Sequence, residues 1–195
     1  MKITNEVLTE YLNCKYKAYL ILKGVGPEPS AYERWLKKNE EQYAGAATRA
    51  LLDRENSCAI VTKLLETSLH LRQGIGLVIG AQAESESLPF SFHALQRVPG
   101  ASALGPFHYV PVLFSNTGAS SDAQKLALSC ESLILERLQQ VRPRNGILVS
   151  GDAYKSRSVD LDERLVADIC KHLLPYVLKR AKGNRKIPWL QMVFS

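Results

Sequence analysis

The stretch Leu104-Gly-Pro-Phe-His-Tyr-Val-Pro-Val-Leu-Phe114 decides how the rest of the chain is read. Residues 107–114, FHYVPVLF, are dense in aromatic and β-branched side chains and predict a strand. Pro111 has no backbone N–H to give to a ladder, which predicts an edge or a bulge. Working forward, the polar loop Ser115 to Ser121 is followed by a helix from Asp122 to about Val141, with Leu126, Leu133, Ile134 and Leu138 as its apolar face. A strand from Gly146 to Ser150 and another from Ala153 to Val159 flank a Gly151-Asp152 turn. A last helix is expected from Asp160–Asp162 to about Ala181, with Leu165, Ile169, Leu173 and Val177 inward and Pro175 kinking or splitting it.

Working backward, Phe90 to Val98 alternates as a strand and Ile75 to Ala83 is β-rich, so the two predict a hairpin across Glu84 to Ser87 that Pro99-Gly100 ends. Before Gly74 the period is helical. The first helix is capped by Thr4 and stopped at Gly24, and Ser30 with Glu33 makes a capping box for the second. The second helix's expected stripe runs through Tyr32, Trp35, Leu36, Tyr43, Ala46, Ala47, Ala50 and Leu51. A shorter helix is expected from Ala59 to Leu71. Helices, three strands, a helix, strands and a helix make one α/β domain, a mixed sheet flanked by helices, with 1–73 a helical N-terminal region and 74–195 the sheet core.

Composition sets bounds on function. With 195 residues, 46% hydrophobic and 23% charged, the chain has the material for one core and none of the bias of disordered or collagen-like proteins. Twenty-five Lys and Arg against 19 Asp and Glu give +6, a mild basic excess compatible with nucleic acid. No apolar run approaches about eighteen residues, and the polar N-terminus lacks a signal-peptide core, so a cytoplasmic protein without membrane partners is expected. Cys14, Cys58, Cys130 and Cys170 lie at least 40 residues apart, too far for a zinc or redox motif. They read as small, mostly buried thiols.

The element order resembles the αβββαβ core of the PD-(D/E)XK, restriction-endonuclease-like nucleases. Three phrases resemble a RecB-like nuclease family of bacteria: Leu95-Gln-Arg-Val-Pro-Gly100, the Leu104–Phe114 strand, and Asn145-Gly-Ile-Leu-Val-Ser-Gly151. Cys14-Lys-Tyr-Lys-Ala-Tyr-Leu20 resembles the opening helix of RecB-type exonucleases and CRISPR-associated nucleases, where such a cysteine begins an iron–sulfur domain. The resemblance covers nearly the whole chain and implies metal-dependent phosphodiester hydrolysis on DNA. In the family the domain is usually followed by an RNase-H-like nuclease domain, which makes such a domain an expected partner.

The resemblance also implies a site. Mg²⁺ needs hard oxygen ligands, and it polarises the phosphoryl group and acidifies the attacking water. The family supplies an acid on the second strand, a D/E-x-K triplet on the third, and often a helix glutamine. Carried over residue by residue, the first acid's place holds His93, the triplet falls on Pro111-Val112-Leu113, and Gln124 matches the glutamine. Pro111 and Leu113 thus occupy the positions of the missing acid and lysine, so a degenerate catalytic motif is expected, with no cofactor in this chain. An alternating strand also accounts for His93 as a half-buried histidine satisfied by a hydrogen-bond partner. Glu84, Glu86, Asp152 and Lys155 are the charges from which a shifted site would have to be built, and the simpler reading of each is a solvated turn charge. Cys14 matches the first cluster ligand, but the further cysteines that the resemblance places after the last helix are missing from the sequence ending at Ser195, as in a truncation.

Two basic groups remain. Lys179, Arg180, Lys182, Arg185 and Lys186 fall within eight residues, and Lys15 and Lys17 flank Tyr16. They predict weak, non-specific nucleic-acid binding through backbone phosphates, or a solvated helix end.

Overall fold

The computed structural model describes residues 10, 14–24, 28–55, 59–61, 71–85, 88–117, 121–161, 164, 167 and 171. Its helices are α1 (Lys15–Lys23), α2 (Ala31–Glu55) and α3 (Asp122–Gln139). Its strands are β1 (Ala59–Val61), β2 (Leu77–Ile79), β3 (Gln82–Ser85), β4 (Leu88–Ser91), β5 (Ala94–Ser102), β6 (Gly105–Ser115), β7 (Asn145–Ser150) and β8 (Lys155–Asp160). Six strands form a mixed sheet in the order β1-β2-β5-β6-β7-β8, and β3 and β4 pair as a separate hairpin. β2, β5 and β6 run as an antiparallel meander, β7 joins β6 in parallel, and β8 closes the far edge antiparallel to β7. A parallel neighbour needs a crossover, and α3 is the element that carries the chain from β6 to β7.

Two apolar layers cover the sheet. On one face Ala47 and Leu51 of α2 meet Leu77, Ile79, Ala94, Val112, Phe114 and Val149. On the other, Ala127 and Leu128 of α3 meet Leu113, Leu148 and Val159. The alternation of Val112 and Phe114 against Leu113 shows β6 giving side chains to both layers, as an inner strand must. α3 packs tightly over Gly146, where a Cβ would stand 2.8 Å from Leu128 Cδ2.

Several expectations change. Ala59–Val61 is a strand, paired parallel with β2, because its β-branched Ile60 and Val61 extend the sheet edge rather than a helix. The region before Gly74 is therefore not wholly helical. Each long strand of the expected hairpin is broken once. The chain turns at Gly80 (φ 65°), whose N–H donates to His93 O, so the outer halves β3 and β4 leave the main sheet. Pro99-Gly100 does not end β5. It is absorbed as a register shift between Pro99 and Ser102, with Gly100 (φ 141°) lying under the His108 ring. The face of α3 differs too: Ala127, Leu128 and Leu135 are buried while Leu138 is exposed. Tyr32 and Trp35 are exposed, and no α2 residue before Ala47 is buried. The capping box at Ser30 and Glu33 forms as expected. The last expected helix lies largely outside the described residues.

Candidate nucleic-acid and catalytic site

The expected site converges on the C-terminal end of β6, where β6 and β7 point the same way and α3 begins. Backbone direction explains why Pro111 is tolerated in an inner strand. Tyr109 N–H and C=O face away from β5 and are met instead by the Gln139 amide, at 2.7 and 3.0 Å. Pro111, two residues on, faces the same way, and the register with β7 begins only at Val112. The missing N–H therefore points to a place where no ladder bond is due, which corrects the expectation of an edge or bulge. Pro111 and Leu113 are both buried, and Leu113 packs with Ala127 and Leu128. Neither side chain offers an oxygen to a metal or a proton to a leaving group.

His93 lies just before β5. Its Nδ1 accepts from Phe114 N–H at 3.0 Å, and its ring stacks on Phe114 with centroids 5.3 Å apart and planes 11° apart. β5 ends its pairing with β6 at Ala94 and Val112, so Phe114 N–H would otherwise have no partner on that side. An accepting Nδ1 puts the ring proton on Nε2. Burial holds the imidazole below its ordinary value, which keeps it neutral. The histidine thus finishes the strand.

Gln124 meets the next residue of β6. Its Oε1 accepts from Ser121 N–H at 2.9 Å while Ser121 Oγ accepts from Gln124 N–H at 3.3 Å, a reciprocal capping box for α3. Its Nε2 donates to Ser115 Oγ at 2.5 Å and Thr117 Oγ1 at 2.8 Å. Structure brings His93 and Gln124 to consecutive residues of one strand end, yet both polar ends of Gln124 are engaged locally.

The other candidates stay apart. Glu84 lies in β3 opposite Pro89, in the hairpin outside the main sheet, and Glu86 is outside the described residues. Asp152 is exposed on the β7–β8 turn, and exposed Lys155 stands opposite Ser150. Among the described residues no three His, Cys, Asp or Glu side chains gather as a metal-binding group. Cys14 is an exposed free thiol at the start of α1, and Cys130 is a buried one in α3. Cys58 and Cys170 are outside the described residues, as is the whole cluster Lys179, Arg180, Lys182, Arg185 and Lys186. Lys17 is engaged within the helical region, bridging Glu10 at 3.0 Å and Glu33 at 2.9 Å. That ammonium, with the Ser30 bonds, lowers the Glu33 carboxyl to about 2.

Sequence reasoning missed what holds this end of the sheet. Tyr43 donates its hydroxyl to Gly151 O at 3.1 Å, and Arg54 spans Ala153 O and Tyr154 O at 2.8 Å each. The two α2 residues pin the β7–β8 turn, in which Tyr154 adopts φ 48°. Their only signal was a Tyr and an Arg eleven residues apart on one helix. No helix among the described residues is long and apolar enough to cross a membrane. The chain matches no protein-family model and no curated protein.

Proposed function

We propose that the chain is a nucleic-acid-binding domain on a RecB-like, PD-(D/E)XK-type scaffold that has lost its hydrolytic centre. What carries the reading is β6. The order α2, β2, β5, β6, α3, β7 is compatible with the αβββαβ order of the family, and Pro111 and Leu113, which the resemblance puts at the acid and lysine positions of the third strand, are both buried, Leu113 in apolar packing. A magnesium site needs several convergent oxygens. His93 and Gln124, the residues left at that strand end, supply a nitrogen already accepting Phe114 N–H and an amide held by hydroxyls. The residues do not fit the metal, and no step is assigned through it. Among the described residues Cys14 is joined by no other exposed thiol, the second described cysteine being buried in α3, whereas a cluster takes four thiolates.

Binding remains the activity that the +6 charge and the Lys179–Lys186 cluster support. On this reading hydrolysis falls to a separate RNase-H-like nuclease domain. The test is a salt titration of single-stranded DNA binding, with Lys179, Arg180 and Lys182 neutralised together in a parallel sample. Wild type is expected to bind with a dissociation constant of about 10⁻⁴ to 10⁻⁶ M at physiological salt. The triple variant is expected to weaken binding on every sequence and flatten the salt slope by about one unit for each phosphate it no longer neutralises. Wild type that stays unbound at low salt refutes the reading.

A further inference from the structure

The first three turns of α2 stand clear of the core. Ala47 and Leu51 mark the buried line of this helix, and at about 100° per residue Trp35 lies well over a quarter-turn away from it. Trp35 is 56% exposed, Tyr32 66%, and Tyr16 on the neighbouring α1 67%. α1 and α2 are tied side by side by the Lys17–Glu33 bridge. Nearly all the exposed large hydrophobic area among the described residues is therefore aromatic and lies on these two helices. Isolated exposed apolar residues need no explanation, but a pair of facing rings does.

The two α2 rings are near parallel, 20° apart, with centroids at 6.0 Å. At that separation the rings form an offset-stacked pair with no room for a third ring between them, so a flat π system would lie on their solvent-facing surfaces. Charge around them has a sign. The helical neighbours of Trp35 three and four residues away are Ala31, Tyr32, Lys38 and Asn39, and Arg34, one turn before Lys38, gives its Nη1 to Pro29 O at 2.6 Å and keeps its other N–H groups for a phosphate. Glu33 and Glu40 fall on the side of the helix toward the core line, and Glu33 is taken up by Lys17. Aromatic faces with Lys38 and Arg34 nearby, Glu33 and Glu40 toward the core line and the exposed Glu41 farther along the helix, suit an unpaired base with its phosphate.

We propose that the exposed N-terminal half of α2 is a stacking platform for single-stranded nucleic acid, with Tyr32 and Trp35 holding bases and Lys38 and Arg34 facing the backbone. This rests on the nucleic-acid reading above and adds a strand preference to it. A duplex keeps its bases stacked on each other and has none to offer these rings, so the platform discriminates against it.

The test uses the full chain. Trp189→Phe leaves Trp35 as the single tryptophan, since the chain has two. Adding a single-stranded oligothymidylate is expected to quench its emission, and an equal-length duplex is not. Tyr32→Ala and Trp35→Ala, both at exposed positions, are expected to weaken single-strand binding at least about fivefold each, with Trp35→Phe retaining most of it. Duplex binding is expected to stay within about twofold. Unquenched Trp35 with unchanged affinity in both variants overturns the platform while leaving nucleic-acid binding intact. Wild type that binds neither strand form removes the underlying reading instead. Wild type that sediments as a dimer, dissolved by Trp35→Ala, assigns the face to a second copy and overturns the proposal.

Discussion

Replacing Gln139 with leucine tests how β6 is completed before β7 reaches it. Gln139 is fully buried, and its amide accepts from Tyr109 N–H at 2.7 Å and donates to Tyr109 O and Val141 O at 3.0 Å each. Gln139→Leu keeps the volume and leaves Tyr109 N–H and C=O facing apolar atoms. Each orphaned buried group costs about 1–3 kcal/mol, and the leucine returns about 1 kcal/mol by burial, so a net loss of about 3 kcal/mol is expected. Urea unfolding with a slope of about 2 kcal/mol/M then moves its midpoint down by about 1.5 M. Gln139→Glu supplies a second readout. Its carboxylate still accepts from Tyr109 N–H but opposes two carbonyl oxygens, whereas the protonated acid donates to one of them. The folded state therefore holds that proton more tightly than the unfolded state, and the variant is expected to recover stability as pH falls through its raised folded pKa. A Gln139→Leu loss under about 1 kcal/mol, or a Gln139→Glu variant that gains nothing on acidification, refutes this role for the glutamine.

His93 gives a pH effect of its own. Its folded-state value is lowered by burial from an ordinary 6.5, so below about pH 6.5 the unfolded chain binds the extra proton and stability falls toward about pH 5, while above it the residue contributes no slope. His93→Asn keeps an acceptor near Phe114 N–H and cannot titrate; the stability profile between about pH 7 and 5 is expected to flatten, and an unchanged slope contradicts the assignment. Gly146→Ala forces a methyl to within 2.8 Å of Leu128 Cδ2 and is expected to cost about 1–3 kcal/mol in chemical unfolding, with a neutral result showing that α3 can lift off the sheet.

Much of the sheet was legible because its strands carry dense β-branched and aromatic runs punctuated by glycine. β6, α3 and β7 stand within a few residues of where composition put them. The failures share a cause: each is decided by a partner distant in sequence. Ala59–Val61 is too short to show a period, and only the β2 edge makes it a strand. Pro111 broke a rule that holds for ladder-facing prolines, and which way its nitrogen faces depends on register. Pro99-Gly100 looked like a terminus, yet a bulge accommodates it inside β5. Tyr32 and Trp35 fit the helical period of α2, but the core begins beyond them. At the candidate site only the family resemblance singled out His93 and Gln124; that they meet consecutive residues of β6, and the use each makes of its polar atoms, came from Phe114 N–H, Ser115 and Thr117. Gln139 near a helix end has the sequence signature of a surface residue, and nothing local marks it as the substitute for a strand.

The central claim is binding without cutting, and fluorescence anisotropy of end-labelled single-stranded DNA in Mg²⁺ or Mn²⁺ reads both at once. With protein in excess at low salt, the expected trace rises on mixing and holds for hours, because on the proposed RecB-like reading β6 carries Pro111 and Leu113 where that family has an acid and a lysine. A trace that rises and then decays as the label is released on short fragments, with the decay abolished in Glu84→Ala or Asp152→Ala, contradicts the claim and locates a working centre on those carboxylates.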